Sequence, residues 1–225
     1  CGGGVIGDVC GLVSALYLRG LVHFHIPTTM TAIIDSCVGG KTAINYRGVI
    51  NSIGTYYHPE NIYISKNILE LIPEREYISG IPEILKCALI DNNSTLKMLK
   101  NVEKIRNKDL KFVFKIIKTT LRTKIKFFKN DIYEKGQRLK LNFGHTFAHA
   151  IEMALDKKNK PDKIRHGEAV GIGILCEIFY ANGKNKEFYL TKKILESYNL
   201  PTNISKFINK KEIKNLISLI FFSKK

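Results

Sequence analysis

Apolar and polar positions follow two rhythms along the chain. Over the first sixty-odd residues short apolar runs are broken by glycine clusters, and beyond 59–73 the apolar positions recur at helical spacing. Gly2-Gly3-Gly4-Val5-Ile6-Gly7-Asp8 predicts a glycine-rich turn, followed by a helix over 9–18. The apolar run 21–26 stops at Pro27 and predicts a buried strand, and a second short strand is expected at 61–64. Turn, helix and strand in that order belong to an α/β nucleotide-binding layer, entered after its first strands. Pro73 with Glu74 and Glu76 suits a helix start, because proline is tolerated and acids are favoured in a first turn. Helices are then expected over 81–91, 94–102, 109–129, 141–154, 167–181, 186–198 and 211–222, with a mobile polar loop at 157–163. The fold class is α/β followed by all-α: an α/β region over 1–66 and an α-helical region over 67–225. No internal repeat interrupts this order.

Composition narrows the classes. With 44% hydrophobic, 25% charged and 10% aromatic residues, the chain is globular rather than disordered or fibrous. Its longest weakly polar stretch, 169–180, is too short for a bilayer and contains Glu177, so no membrane partner is expected. The start at Cys1, without Met or a leader, gives the expectation of a piece of a longer product. Cysteines at 1, 10, 37, 87 and 176 form no C-x-x-C pair, which argues for a reducing, cytoplasmic setting. The net charge of +16 raises the question of a polyanion. Lysine far outnumbers arginine, and the lysines spread over 97–129 without interleaved stacking aromatics, so no nucleic-acid partner is expected. The excess charge still attracts a phosphorylated substrate.

Three stretches carry candidate chemistry. Gly2-Gly3-Gly4 with Gly7 could bring backbone N–H groups close to a phosphate ahead of a helix, or simply form a tight turn, and the spacing is not G-x-G-x-x-G. Asp35-Ser36-Cys37-Val38-Gly39-Gly40-Lys41-Thr42 ends like a P-loop but has Asp35 where that motif needs glycine. It still places an acid, a glycine pair and a cation together, suited to a site that handles hydroxyls and phosphate. Arg138, Asn142, His145 and His149, spaced four, three and four apart, are expected on one helical face, either solvated or lining a site. The zincin form is absent, since Thr146 stands where Glu would be needed. His166-Gly167-Glu168 opens another helix, and Glu83 and Lys86 share a face at i, i+3. Two histidines and a glutamate are the donor set of an open zinc site, with either His145 or His149 eligible by spacing.

At these residues the chain resembles the 3-dehydroquinate synthases of the shikimate pathway, within the sugar-phosphate cyclases. The motifs are Gly-Gly-Gly-Val-Ile-Gly-Asp at 2–8, Tyr-Leu-Arg-Gly at 17–20, Ile-Pro-Thr-Thr at 26–29 and Asp-Ser-Cys-Val-Gly-Gly-Lys-Thr at 35–42. They continue with Pro-Glu-Arg-Glu at 73–76, Glu-Ile-Leu-Lys at 83–86, Leu-Asn-Phe-Gly-His-Thr-Phe-Ala-His at 141–149 and His-Gly-Glu-Ala-Val at 166–170. The resemblance implies a lyase that converts 3-deoxy-D-arabino-heptulosonate 7-phosphate to 3-dehydroquinate and phosphate. The route is transient NAD-dependent oxidation, phosphate elimination, reduction and intramolecular aldol closure. It also implies a partial Rossmann-like NAD-binding domain over 1–66 and a metal- and substrate-binding helical domain over 67–225. Zn²⁺ or Co²⁺ falls to Glu83, His145 and His166, which selects His145 over His149 as ligand. NAD contacts fall to Gly4, Val5, Ile6, Gly7, Asp8, Thr28, Thr29 and Lys41. Contacts to the small phosphorylated sugar-acid substrate fall to Asp35, Lys41, Asn51, Lys86, Lys124, Arg138, Asn142 and His149, and Arg19 is lent across a homodimer interface.

The chain departs from the family pattern at Ile50 and Leu71, where a lysine and a threonine are usual, and at Ser223 in its last residues. The resemblance implies that the opening strands of the NAD domain, with the adenosine side of its site, would precede Cys1. Two readings compete with dehydroquinate synthase. One is another sugar-phosphate cyclase or a metal-dependent alcohol dehydrogenase of the same architecture, against which Lys124, Arg138 and Asn142 argue. The other is a non-catalytic basic derivative, supported by net charge alone.

Overall fold

A computed structural model of the chain describes residues 1–47, 49–91, 93–156 and 164–207. The helix expected at 211–222 and the loop expected at 157–163 lie outside them. The chain divides into two compact units, Cys1–Leu141 and Asn142–Lys225.

In the first unit the helix starts inside the glycine-rich stretch expected to be a turn: α1 runs Gly4–Leu16, with Gly3 extended as its N-cap. Gly7 and Gly11, one turn apart, face the strands. A Cβ on Gly7 would stand 2.5 Å from the His25 ring, and one on Gly11 2.3 Å from the Thr42 methyl. Glycine weakens a helix by about 1 kcal/mol, so propensity argues for a turn, whereas the close approach of the helix backbone demands it.

The expected strand at 21–26 shortens to β1 (Phe24–His25), which pairs in parallel with β4 (Asn61–Ile62). Gly2 bridges Pro27, also in parallel. His25 is buried under α1, but Val22 and Phe24 are exposed, so the strand is not the buried one expected. A parallel strand is buried on both faces only where other elements cover both.

Between them lies a ladder that the apolar pattern does not announce, β2 (Lys41–Tyr46) antiparallel to β3 (Val49–Tyr56). Both strands are largely exposed, and Ala43 and Asn45 are poor strand formers. Its register slips between Ile44 and Tyr46. There Asn51 takes φ 51° and donates its N–H to Asn45 Oδ1 at 2.9 Å.

The rest of the first unit is helical: α2 (Lys66–Leu71), α3 (Glu74–Ile78), α4 (Ile81–Asp91), α5 (Asn93–Leu99), α6 (Val102–Arg106) and α7 (Leu110–Phe128). The helix expected at 94–102 divides into α5 and α6 because Asn101 leaves helical geometry and donates to the Lys97 and Met98 carbonyls. Asp109 caps α7, accepting the Phe112 N–H at 3.1 Å. Val113, Ile116, Ile117 and Phe127 of α7 are buried, with Lys111, Lys115, Lys118 and Arg122 outside. The Tyr77 hydroxyl, in the core, donates to the Ile105 carbonyl at 3.0 Å.

The second unit contains α8 (His145–Asp156), α9 (His166–Asn182) and α10 (Lys186–Ser197). The helix expected from 141 starts at His145, since 137–142 is a 3₁₀ segment and Gly144 turns the chain with φ 84°. Gly167 to Leu175 of α9 are buried against α8. The approach is closest at Gly173, where a Cβ would stand 2.0 Å from the Gly144 carbonyl oxygen. No described helix is long and apolar enough to cross a membrane, and the five cysteines are free thiols.

Candidate active site

In the first unit, Asp35 sits at the widened helical turn Ala32–Ser36. Such i→i+5 turns re-aim a side chain and are frequent at functional sites. Lys124 of α7 places its Nζ 2.8 Å from Asp35 Oδ1 and also donates to the Asp35 carbonyl. Lys86 of α4 reaches the same Oδ1 at 3.5 Å and lies 2.5 Å from Glu83 Oε2, the i, i+3 pair expected from spacing. Lys86 and Glu83 are each 1% exposed and Lys124 6%. Burial disfavours the Lys86 ammonium, but the charges of Glu83 and Asp35 outweigh it and hold its pKa above the ordinary lysine value. Asp8, on α1, is pushed up to about 6 by burial and by the negative charge of Asp35. Burial pushes the nearby thiols up, Cys37 to about 12 and Cys87 to about 11, which favours their neutral form near pH 7.

Arg138 is also buried in this unit. Its guanidinium donates to the Gly39 and Ile132 carbonyls, each at 2.7 Å, and lies 5.3 Å and 5.5 Å from the Tyr56 and Phe128 ring centres. Gly39, at φ 111°, makes room for it, since a Cβ there would stand 2.8 Å from Nη2. The Gly39-Gly40 pair is thus fitted to side chains as well as bent. Lys41, at the start of β2, pairs with Glu134 at 2.6 Å. Asn51 lies exposed on β3 at the slipped register, and Arg19 lies exposed in a segment where Leu18, Arg19 and Gly20 all have positive φ.

Of the residues expected at a dinucleotide, Gly4 to Asp8 lie on the first turns of α1 and Thr28 and Thr29 lie beside its start, whereas Lys41 is at the start of β2. Gly4, Val5 and Ile6 form the first turn of α1, where backbone N–H groups lack intrahelical acceptors. Thr28 donates its N–H to the Gly2 carbonyl at 2.9 Å, and a Cβ on Gly3 would stand 3.0 Å from the Thr29 methyl. A bare glycine end beside two threonines fits a pyrophosphate.

The second unit carries His145, His149 and His166. His145 and His149 are one turn apart on α8, with ring centres 5.5 Å apart, and His166 opens α9 with its ring 5.4 Å from that of His145 and 6.4 Å from that of His149. His166 Nδ1 lies 2.9 Å from Glu152 Oε1, and His145 Nδ1 lies 3.3 Å from the Phe143 carbonyl. The single helical face expected for Arg138, Asn142, His145 and His149 is not formed, because the chain turns at Gly144: Arg138 belongs to the first unit and the other three to the second. Sequence reading missed Glu152 and Glu134. Glu152 continues the His145 and His149 spacing to i+7 and was legible from it. Glu134 stands in a loop and carries no such signal.

Known proteins match along the whole chain. Residues 1–79 match the family model of the 3-dehydroquinate synthase N-terminal domain, and 80–225 that of its C-terminal domain. The 3-dehydroquinate synthase of Dictyoglomus thermophilum is 45% identical over 181 residues, which is 80% of this chain and 50% of that protein. The chain thus spans about half the length of this relative. Among solved structures, the 2-epi-5-epi-valiolone synthase of Streptomyces hygroscopicus, with NAD⁺ and Zn²⁺ bound, is 25% identical with a TM-score of 0.84 over 96% of this chain and 61% of that one. A 2-deoxy-scyllo-inosose synthase with carbaglucose-6-phosphate, NAD⁺ and Co²⁺ is 27% identical with a TM-score of 0.84, over 97% of this chain and 59% of that one. These two are named as synthases of other products, whereas both family models name 3-dehydroquinate synthase, over consecutive stretches of the chain. By that match, which leaves no stretch of the sequence unassigned, the chain belongs to the 3-dehydroquinate synthase family.

Proposed function

We propose that this chain carries the metal- and substrate-binding part of a phosphate-eliminating lyase. The reaction converts 3-deoxy-D-arabino-heptulosonate 7-phosphate to 3-dehydroquinate and phosphate. The observation that carries the reading is the Asp35, Lys124, Lys86 and Glu83 cluster. Desolvating an ion takes several kcal/mol, and apolar residues of the same volume commonly serve stability as well or better. A dry cluster of this kind is therefore better explained by an anionic substrate with several hydroxyls than by folding. The family match and the two cyclase structures support the same assignment.

Residues 1–66 form the NAD-binding part and 67–225 the metal- and substrate-binding part, in a cytoplasmic homodimer to which Arg19 contributes. We assign the metal to Glu83, His145 and His166, one carboxylate and two imidazoles, a donor set that leaves a coordination position open. A bound Zn²⁺ or Co²⁺ supplies Lewis acidity toward a substrate hydroxyl and the ketone it becomes. A bound NAD, with its pyrophosphate at Gly4 to Asp8 and contacts from Thr28, Thr29 and Lys41, supplies reversible hydride acceptance. Lys86, kept cationic by Glu83 and Asp35, binds the substrate carboxylate and ring hydroxyls together with Lys124, Arg138 and Asn142. Asp35 orients both ammonium groups and accepts from a ring hydroxyl. Lys41, Asn51 and His149 hold the phosphate through elimination, and the chain's glycine-lined loop keeps these groups in place without reorganisation.

The test is phosphate release from the heptulosonate phosphate with NAD and Zn²⁺ supplied. Release that needs both supports the assignment. Release from another sugar phosphate such as glucose 6-phosphate, and none from this one, would transfer the chain to another cyclase activity.

A further inference from the structure

We propose that Glu152 is a positioning residue that fixes the tautomer and orientation of His166, so that His166 Nε2 becomes its metal-binding atom. This rests on the metal reading above. A neutral imidazole carries one proton, and whichever nitrogen holds it cannot bind a metal. Glu152 Oε1 lies 2.9 Å from His166 Nδ1. A carboxylate only accepts, so the proton is on Nδ1 and the lone pair on Nε2. His145 repeats the arrangement by another means, its Nδ1 lying 3.3 Å from the Phe143 carbonyl, also a pure acceptor. The two proposed ligands on the second unit therefore both present Nε2.

The fold explains why Glu152 serves this purpose. His145, His149 and Glu152 occupy i, i+4 and i+7 of α8, and His166, one-third exposed, is the first residue of α9. The packing of α9 on α8 brings its ring within reach of the Glu152 carboxylate. Partners of this kind commonly change metal affinity 10- to 100-fold.

The experiment is zinc affinity of the full chain by chelator competition, for the wild type, Glu152→Ala and Glu152→Gln. Alanine should weaken zinc roughly 10- to 100-fold. Glutamine, whose amide oxygen can still accept from Nδ1–H, should stay clearly closer to the wild type. In the metal-free protein, ¹⁵N NMR should show His166 protonated at Nδ1, with the Nε2–H form appearing in Glu152→Ala. Equal affinity in all three, or a glutamine variant no better than alanine at unchanged thermal stability, would overturn the proposal. Should the wild type take up no zinc, the metal reading falls, and the His166 tautomer alone decides whether Glu152 positions the ring.

Discussion

The two units hold their polar clusters by different physical means. In the first, Asp35, Glu83, Lys86 and Lys124 come from three separate elements into an almost dry interior and are held by one another's charge. In the second, His145, His149 and Glu152 follow from the periodicity of one helix, and His166 faces them because α8 and α9 pack closely at Gly173. Charges buried together are stable only as a set, whereas groups placed by helix geometry can be lost one at a time. Substitutions in the first cluster should therefore strike folding, and substitutions among the histidines should strike binding first.

Lys86→Met should give the largest effect. It leaves Glu83 buried without its counter-ion, so the denaturant-unfolding free energy should fall by about 3–5 kcal/mol. A loss below about 1 kcal/mol would mean that the cluster is wetter than the structure describes. The corresponding break in the second unit is Gly173→Ala, whose Cβ would meet the Gly144 carbonyl. Overpacking of this kind costs about 1–3 kcal/mol, and calorimetry should show the lower unfolding temperature.

A pH series sharpens the picture of the first unit. The Asp8 carboxyl is raised from 3.8 to about 6 in the folded chain, so between those values the folded state holds a proton that the unfolded state has released. By linkage, its contribution to stability falls as pH rises from about 4 to about 6. Asp8→Asn should flatten that part of the stability profile, and an unchanged slope would show that Asp8 is not the group responsible. Smallest of all is Lys126→Ala, which removes the exposed ion pair with Asp91. An exposed pair contributes about 0–1 kcal/mol, so the unfolding midpoint should scarcely move, in contrast to Lys86.

The same division explains what was legible in the sequence. α4, α7, α9 and α10 follow from helical apolar spacing nearly to their ends, because packing against a core writes itself into every third or fourth residue. The start of α1 was hidden because Gly4, Gly7 and Gly11 answer to contacts with distant residues. The β2 and β3 ladder was hidden because exposed strands need no alternation. The motifs named the candidate residues, but spacing could not show that Gly144 breaks the helix between Arg138 and His145, nor that the Arg138 guanidinium lies over the Tyr56 and Phe128 rings. Glu152 was the reverse case, visible at i+7 but without meaning until its contact with His166 was seen.

Metal content per chain, measured for the wild type beside His145→Ala, decides whether the proposed centre at Glu83, His145 and His166 exists. About one zinc should accompany the wild type and be lost in the variant while the variant remains folded by circular dichroism. A folded wild type that takes up no zinc, or a folded variant that retains it, would overturn the metal assignment.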